Sequence, residues 1–296
     1  MSVPFSGILP AVVTPLNEDG DFLPAAFERL CEFLFTAGVD GLYVCGQTGE
    51  GLQQSPEQRR RVVELAVRLT PPGKLVMAHI GAPSTPLAVE LARHAEQAGV
   101  HALSSLPPPG AYSMEEVRGY YGALAAATSL PLVVYYYPVF AANPKSLDDL
   151  LSVCEIPNVA GLKFTSTDLY LLSQLKHHEV VVFNGYDEIL VAGLLMGADG
   201  GIGSFYNVVP QWFVQLYRAA RHGDWALARD WQIRINQIIS IGLRYPVHAA
   251  VKEMLRWMGL DCGVCMLPRR RLTPEERAEL HHALENSPLA AQRAAV

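Results

Sequence analysis

Short apolar runs begin near Gly7, Gly41, Lys74, His101, Leu130, Val159, Val180 and Asp199, eight in all. Stretches with helical periodicity separate them. Ser55-Pro56-Glu57-Gln58 and Ser113-Met114-Glu115-Glu116 have capping-box form, and Thr85-Pro86 and Ser146 open two further helices. Gly38, Gly99 and Gly197 each close a helix and lead directly into a strand. That junction marks a repeated βα unit, and eight units with near-continuous apolar strands predict an α/β chain folded as a (β/α)8 TIM barrel with both faces of its parallel sheet covered. A doubly wound open sheet is the runner-up. It lacks support because no Gly-x-Gly-x-x-Gly follows the first strand. After about Ala220 the strand signal stops, and Trp225–Leu243, Val247–Met258 and a segment capped by Thr273 read as helices. The expected division is a catalytic barrel over residues 1–222 and a helical extension over residues 223–296 packed on it, with Trp225, Trp231 and Trp257 as packing residues.

Composition narrows the function. Half of the 296 residues are hydrophobic and 18% are charged, enough for a large core. A net charge of −6 with no basic run disfavours nucleic acid as a partner, and the triplets Arg59–Arg61 and Arg269–Arg271 read as a solvated helix face or turn. Five scattered cysteines fit reduced thiols in a cytoplasm, with Cys262 and Cys265 structural. The N-terminus has no signal-peptide pattern, and no apolar run is long enough for a membrane span. No metal-ligand cluster or nucleophile-elbow motif occurs, and His177-His178 reads as exposed.

In a TIM barrel the chemistry sits at the C-terminal ends of the strands. The second strand ends in Cys45-Gly46-Gln47-Thr48-Gly49-Glu50, where the glycines let backbone approach a ligand and Gln47 and Thr48 offer donors to a carboxylate; a plain turn is the alternative. The fifth puts Val133, Tyr135 and Tyr137 on one face, as packing or as a proton shuttle. The sixth carries Lys163 inside Val159–Thr165, with Gly161 and Thr165 on its face. If that face points inward, Gly161 leaves room beside the amine. A lysine in apolar surroundings shifts toward its neutral, nucleophilic form, whereas a lysine at a strand end can keep its ammonium in water. The seventh ends in Asn184-Gly185-Tyr186-Asp187-Glu188, whose carboxylates suit either a helix dipole or a polyol clamp. The eighth, Gly200-Gly201-Ile202-Gly203-Ser204, suits a phosphate or part of a sugar.

These segments are similar, over essentially the whole length, to the N-acetylneuraminate lyase and dihydrodipicolinate synthase superfamily of pyruvate-dependent class I aldolases. Gly46–Glu50 resembles its carboxylate-binding turn, Val133–Pro138 its tyrosine strand and Gly161–Thr165 its Schiff-base strand. Lys163–Tyr170, Phe183–Glu188 and Gly197–Asn207 look like the N-acetylneuraminate lyase branch. The resemblance implies that Lys163 forms the imine, that Tyr135 moves protons, and that Gln47 and Thr48 hold the pyruvyl carboxylate. Thr165, Gly185, Asp187, Glu188 and Ser204 then contact the hydroxylated part of the substrate. It also implies a cytoplasmic homotetramer that needs no cofactor or metal and cleaves a sugar-derived 2-oxo acid, N-acetylneuraminate first, into pyruvate and an aldehyde. The alternatives are an aldolase or dehydratase for a 2-keto-3-deoxy sugar acid or 4-hydroxy-2-oxoglutarate, then dihydrodipicolinate synthesis or non-catalytic binding of a 2-oxo acid. Three departures stand out. Gln47 replaces a small hydroxyl residue, the Pro107–Pro109 loop lacks the tyrosine that many members insert into a neighbour's site (Tyr112 is shifted), and Pro138–Ala142 lacks the arginine of the synthases.

Overall fold

A computed structural model of the protein describes residues 5–139 and 144–295. The N-terminal four residues, and Phe140–Ala142 of the stretch compared with the synthases' arginine, lie outside the described residues. In chain order the elements are β1 (Gly7–Pro10) and α1 (Pro24–Thr36), β2 (Gly41–Val44) and α2 (Pro56–Leu69), β3 (Leu75–His79) and α3 (Thr85–Ala98), and β4 (Ala102–Ser105) and α4 (Met114–Ala127). There follow β5 (Leu132–Tyr136) and α5 (Leu147–Cys154), β6 (Val159–Phe164) and α6 (Leu169–His177), β7 (Val181–Asn184) and α7 (Leu190–Leu195), and β8 (Gly200–Gly203) and α8 (Pro210–Arg221). Every ladder is parallel, in the order β1-β8-β7-β6-β5-β4-β3-β2. A single bridge from Ala11 to Tyr43 brings β1 against β2 and closes the barrel.

Local chemistry explains the repeat. The Ser113 and Ser146 hydroxyls accept the backbone N–H three residues on, and Glu116 and Asp149 return the bond to complete capping boxes on α4 and α5. Ser55 caps α2 with Pro56 in its first turn. Gly38, Gly99 and Gly197 all have positive φ, the left-handed conformation that turns a helix end into the next strand.

Strand alternation divides the core in two. Leu9, Ala11, Tyr43, Leu75, Met77, Ala102, Val133, Phe183 and Ile202 fill the barrel interior. Their neighbours, among them Ile8, Leu42, Val76, Val134, Leu162 and Val182, pack outward against the helices. Gly161 serves this packing rather than the amine. A side chain there would strike the backbone and Cβ of Val181 on β7, so the glycine allows β6 and β7 to approach.

The chain continues into α9 (Trp225–Gly242), α10 (Val247–Trp257) and α11 (Pro274–Glu285). Trp231 stands 6.4 Å from Trp212 of α8, and Arg234 lies over both rings. Trp257 is buried, whereas Trp225 is among the exposed apolar residues, so only two of the three tryptophans named for packing are covered. The arginine triplets are not uniformly solvated. Arg59 is buried behind the barrel and donates to the carbonyls of His79 (2.7 Å) and Gly81 (2.9 Å), which fixes the end of β3. No helix among the described residues is long and apolar enough to cross a membrane.

Candidate active site

Lys163 and Tyr135 are direct partners across the β5–β6 ladder, and their side chains point into the barrel. The Lys163 Nζ lies 3.9 Å from the centre of the Tyr135 ring and 4.4 Å from that of Tyr43. Only 4% of the lysine is exposed, so the strand-end alternative does not hold. Burial pushes its pKa down from 10.5 to about 7, while the negative charge of Asp187 pulls the other way. Burial therefore favours the neutral, nucleophilic amine over what an exposed lysine would offer. Burial pushes the Tyr135 phenol well above the ordinary tyrosine range. The Thr165 hydroxyl opposes that shift, although it does not reach hydrogen-bond geometry.

A cavity of about 480 Å³ opens above this pair, within the range of small-molecule sites. Gln47, Thr48, Tyr135, Lys163, Thr165, Gly185, Asp187, Glu188 and Ser204 all line it, so the structure gathers every candidate from five different strand ends into one pocket. The Thr48 and Ser204 hydroxyls are 2.6 Å apart and join the turn after β2 to the end of β8. The Asp187 carboxylate accepts the Phe205 N–H at 2.6 Å. Burial and then the Glu188 charge raise its pKa to about 7. Asp187 is thus tied to the turn after β8, and Gly203 makes the room: a side chain there would overlap the Asp187 carboxylate. Among the described residues the Glu188 carboxylate has no such anchor, and its backbone carbonyl accepts from Asn236 of α9 at 3.0 Å. The glycine-rich β8 therefore accommodates Asp187 and Tyr206 rather than forming an open phosphate cradle. Gly185 admits the Thr165 hydroxyl in the same way, and Gly46 admits the Tyr43 ring rather than a ligand.

Four residues of the site were not singled out by sequence. Tyr43 is fully buried, caps the amine from β2, and places its hydroxyl 3.2 Å from Ser104 Oγ. Its signal was alternation: it lies on the inner face of β2. His79 ends β3, which the strand-end rule points to. Its Nε2 accepts the Leu106 N–H at 3.1 Å, and burial, then Arg59 and Lys163, hold its pKa well down, so the ring is neutral. His248 and Arg269 come from beyond the barrel and also line the pocket. The His248 Nε2–H donates to the Gln47 carbonyl at 2.9 Å, and Arg269 donates to the other ring nitrogen at 3.1 Å. Behind them Glu50 is wholly buried. It accepts from Lys252 (2.7 Å) and from the Met266 N–H (2.7 Å). No cluster of potential metal ligands occurs among the described residues.

The profile of the dihydrodipicolinate synthetase family matches residues 4–287. A curated N-acetylneuraminate lyase from Shigella boydii serotype 4 is 36% identical over 275 residues, covering 90% of this chain and 92% of that protein. The crystal structure of N-acetylneuraminate lyase from Mycoplasma synoviae superposes with a TM-score of 0.88 at 30% identity, over 96% of this chain and 98% of that one. YagE, an Escherichia coli K12 prophage protein of the dihydrodipicolinic acid synthase family solved in complex with pyruvate, gives a TM-score of 0.89 at 27% identity, over 95% and 98%.

Proposed function

Because the chain belongs to the dihydrodipicolinate synthetase family, we propose that it is a class I aldolase that cleaves a sugar-derived 2-oxo acid, N-acetylneuraminate in the first instance, into pyruvate and an aldehyde. The observation that carries this reading is the buried Lys163 amine, with its pKa lowered to about 7, paired across the ladder with Tyr135.

The chemistry follows from those two groups. The neutral Lys163 amine adds to the C2 carbonyl. Tyr135 gives its proton to the departing hydroxyl, which leaves as water and yields the iminium. Burial makes the resulting phenolate a strong base, and it takes the proton of the C4 hydroxyl. The C3–C4 bond breaks, its electron pair moves to the iminium nitrogen, and the aldehyde departs. Tyr135 passes that proton to C3 of the enamine, and water hydrolyses the resulting iminium to pyruvate and neutral Lys163, the released proton returning to the Tyr135 phenolate. Thr48 and Gln47 hold the substrate carboxylate in this reading. Thr165, Gly185, Asp187, Glu188 and Ser204 surround the hydroxylated chain. The mechanism calls for no metal or cofactor.

The wider family resemblance supports a cytoplasmic homotetramer. Five free cysteines fit a reducing compartment, and exposed Tyr170, Leu195 and Met196 on the neighbouring α6 and α7 segments offer apolar surface to a second copy. Borohydride reduction with pyruvate tests the central claim. The expected product is a pyruvate-derived mass increase on Lys163, and the absence of an adduct would end the Schiff-base reading. Turnover of N-acetylneuraminate beside a panel of 2-oxo acids then fixes the substrate.

A further inference from the structure

A 2-oxo acid must bring a carboxylate into a pocket that already holds Asp187 and Glu188. Lys163 cannot be its counter-ion, because the amine must be neutral to react. His248 is not charged either: burial and the neighbouring Arg269 push its pKa down to about 4. Among the described residues, Arg269 is the other cationic side chain lining the pocket besides Lys163. Sequence placed it in a solvated turn, yet three contacts draw it inward. It donates to His248 Nδ1 at 3.1 Å and to Gln47 Oε1 at 3.4 Å, and its Nε stands 3.9 Å from Glu50. Glu50 does not neutralise it alone, because Lys252 already pairs with that carboxylate at 2.7 Å. Glu50, Lys252 and Arg269 together carry one formal net positive charge, and Arg269 lines the pocket.

Arginine can only donate, so the Gln47 atom facing it is the amide oxygen. The Gln47 amide nitrogen is left with two N–H donors, and the Arg269 terminal nitrogens keep further N–H groups of their own. We propose that Arg269, with the Gln47 amide it orients, is a substrate-binding pair that recognises a carboxylate of the 2-oxo acid. This rests on the Schiff-base reading for the identity of the ligand, not for the existence of the cationic wall. The carboxylate is either the one beside the ketone or a second one at the outer end of a dicarboxylic substrate.

The test compares wild type, Arg269→Gln and Arg269→Lys. The readout is the pyruvate concentration that half-saturates borohydride-trapped adduct on Lys163, followed by mass at low and high KCl. Losing a charge-assisted contact should raise that concentration roughly tenfold to a hundredfold in Arg269→Gln. Arg269→Lys should recover part of the loss, and added salt should weaken binding in wild type more than in Arg269→Gln. That result assigns the carboxylate beside the ketone. If pyruvate saturation is unchanged but the KM for 4-hydroxy-2-oxoglutarate rises by the same factor, the second carboxylate is the one read. Unchanged saturation for both overturns the proposal. So does equal loss in the lysine variant with salt dependence intact, since Arg269 then only props the wall. If wild type forms no adduct, the Schiff-base reading falls first, and calorimetric titration of pyruvate into wild type and Arg269→Gln decides the anion site by itself.

Discussion

At the floor of the pocket Lys163 lies against the rings of Tyr43 and Tyr135, with no carboxylate among the described residues in hydrogen-bond contact. At the outer wall Glu50, Lys252, Arg269 and His248 meet in a connected set of ion pairs and hydrogen bonds. The two regions handle charge in opposite ways. On the floor, desolvation works against the ammonium and releases a nucleophile. On the wall, Lys252 and Arg269 share the buried Glu50 carboxylate, and Arg269 also lines the pocket. A reacting amine must lose its proton and a binding cation must keep its own, so a single pocket needs both environments. The division also follows the chain. The floor is built from β2, β5 and β6, whereas the wall joins the turn after β2 to α10 and the segment behind it.

The largest effect should come from removing the floor's amine. Lys163→Met is expected to lower kcat by about 10⁴-fold or more, the scale on which loss of a covalent nucleophile is felt. The same substitution should raise stability near pH 6, because it removes a buried cation. The lysine's pKa falls from 10.5 unfolded to about 7 folded, so between those values the unfolded chain binds more protons and wild-type stability rises with pH. Thermal melts from pH 6 to 10 should show the variant's advantage shrinking as pH rises. A constant gap would mean that burial does not set the amine's protonation.

The wall should respond differently. Glu50→Gln leaves Lys252 buried without its anion, which costs about 3–5 kcal/mol in a comparable setting. Denaturant melts should show that loss. Kinetics should show a raised KM, as the segment carrying Arg269 loosens, with the pH dependence of kcat in place because the floor is untouched. A changed pH profile with unchanged stability would reverse the roles given to floor and wall.

How much of this the sequence carries also divides along the same line. The eight strands, their caps and the inward placement of Lys163 and Tyr135 are local patterns: period-two alternation, capping boxes and glycines at helix ends. They are legible because each is decided within a few residues. Arg269 and His248 reach Gln47 across more than 200 positions, and nothing in an arginine triplet tells which member turns inward. Arg59 misleads for the same reason, since its partners are carbonyls at the end of β3. The glycines of β8 and of the β2 turn were legible as close approaches, but not in what approaches them. They admit Asp187, Tyr206 and Tyr43 rather than a ligand. His79 and Tyr43 were within reach, because both obey the alternation that located Tyr135.

Asp187 is the residue on which the contrast can be sharpened, since it is the carboxylate that acts on the floor. Its charge raises the Lys163 pKa, so a neutral isostere should lower it further. Asp187→Asn can still offer an oxygen to the Phe205 N–H, which keeps the turn after β8 in place. The acid limb of kcat/KM that the lowered Lys163 pKa predicts for wild type is then expected to move to lower pH by up to about one unit, the scale of a neighbouring charge. Activity at pH 6 relative to pH 8 should rise up to several-fold. Stability supplies an independent sign. Asp187 has its pKa raised from 3.8 to about 7, so in that window the folded protein holds a proton that the unfolded chain has released. Wild-type stability from this group therefore falls as pH climbs from about 4 to about 7, and the asparagine variant should lack that slope. A limb that moves together with a slope that vanishes ties the two groups into one titrating pair. A limb that stays fixed would leave desolvation alone in control of Lys163, and the floor would contain no working charge at all.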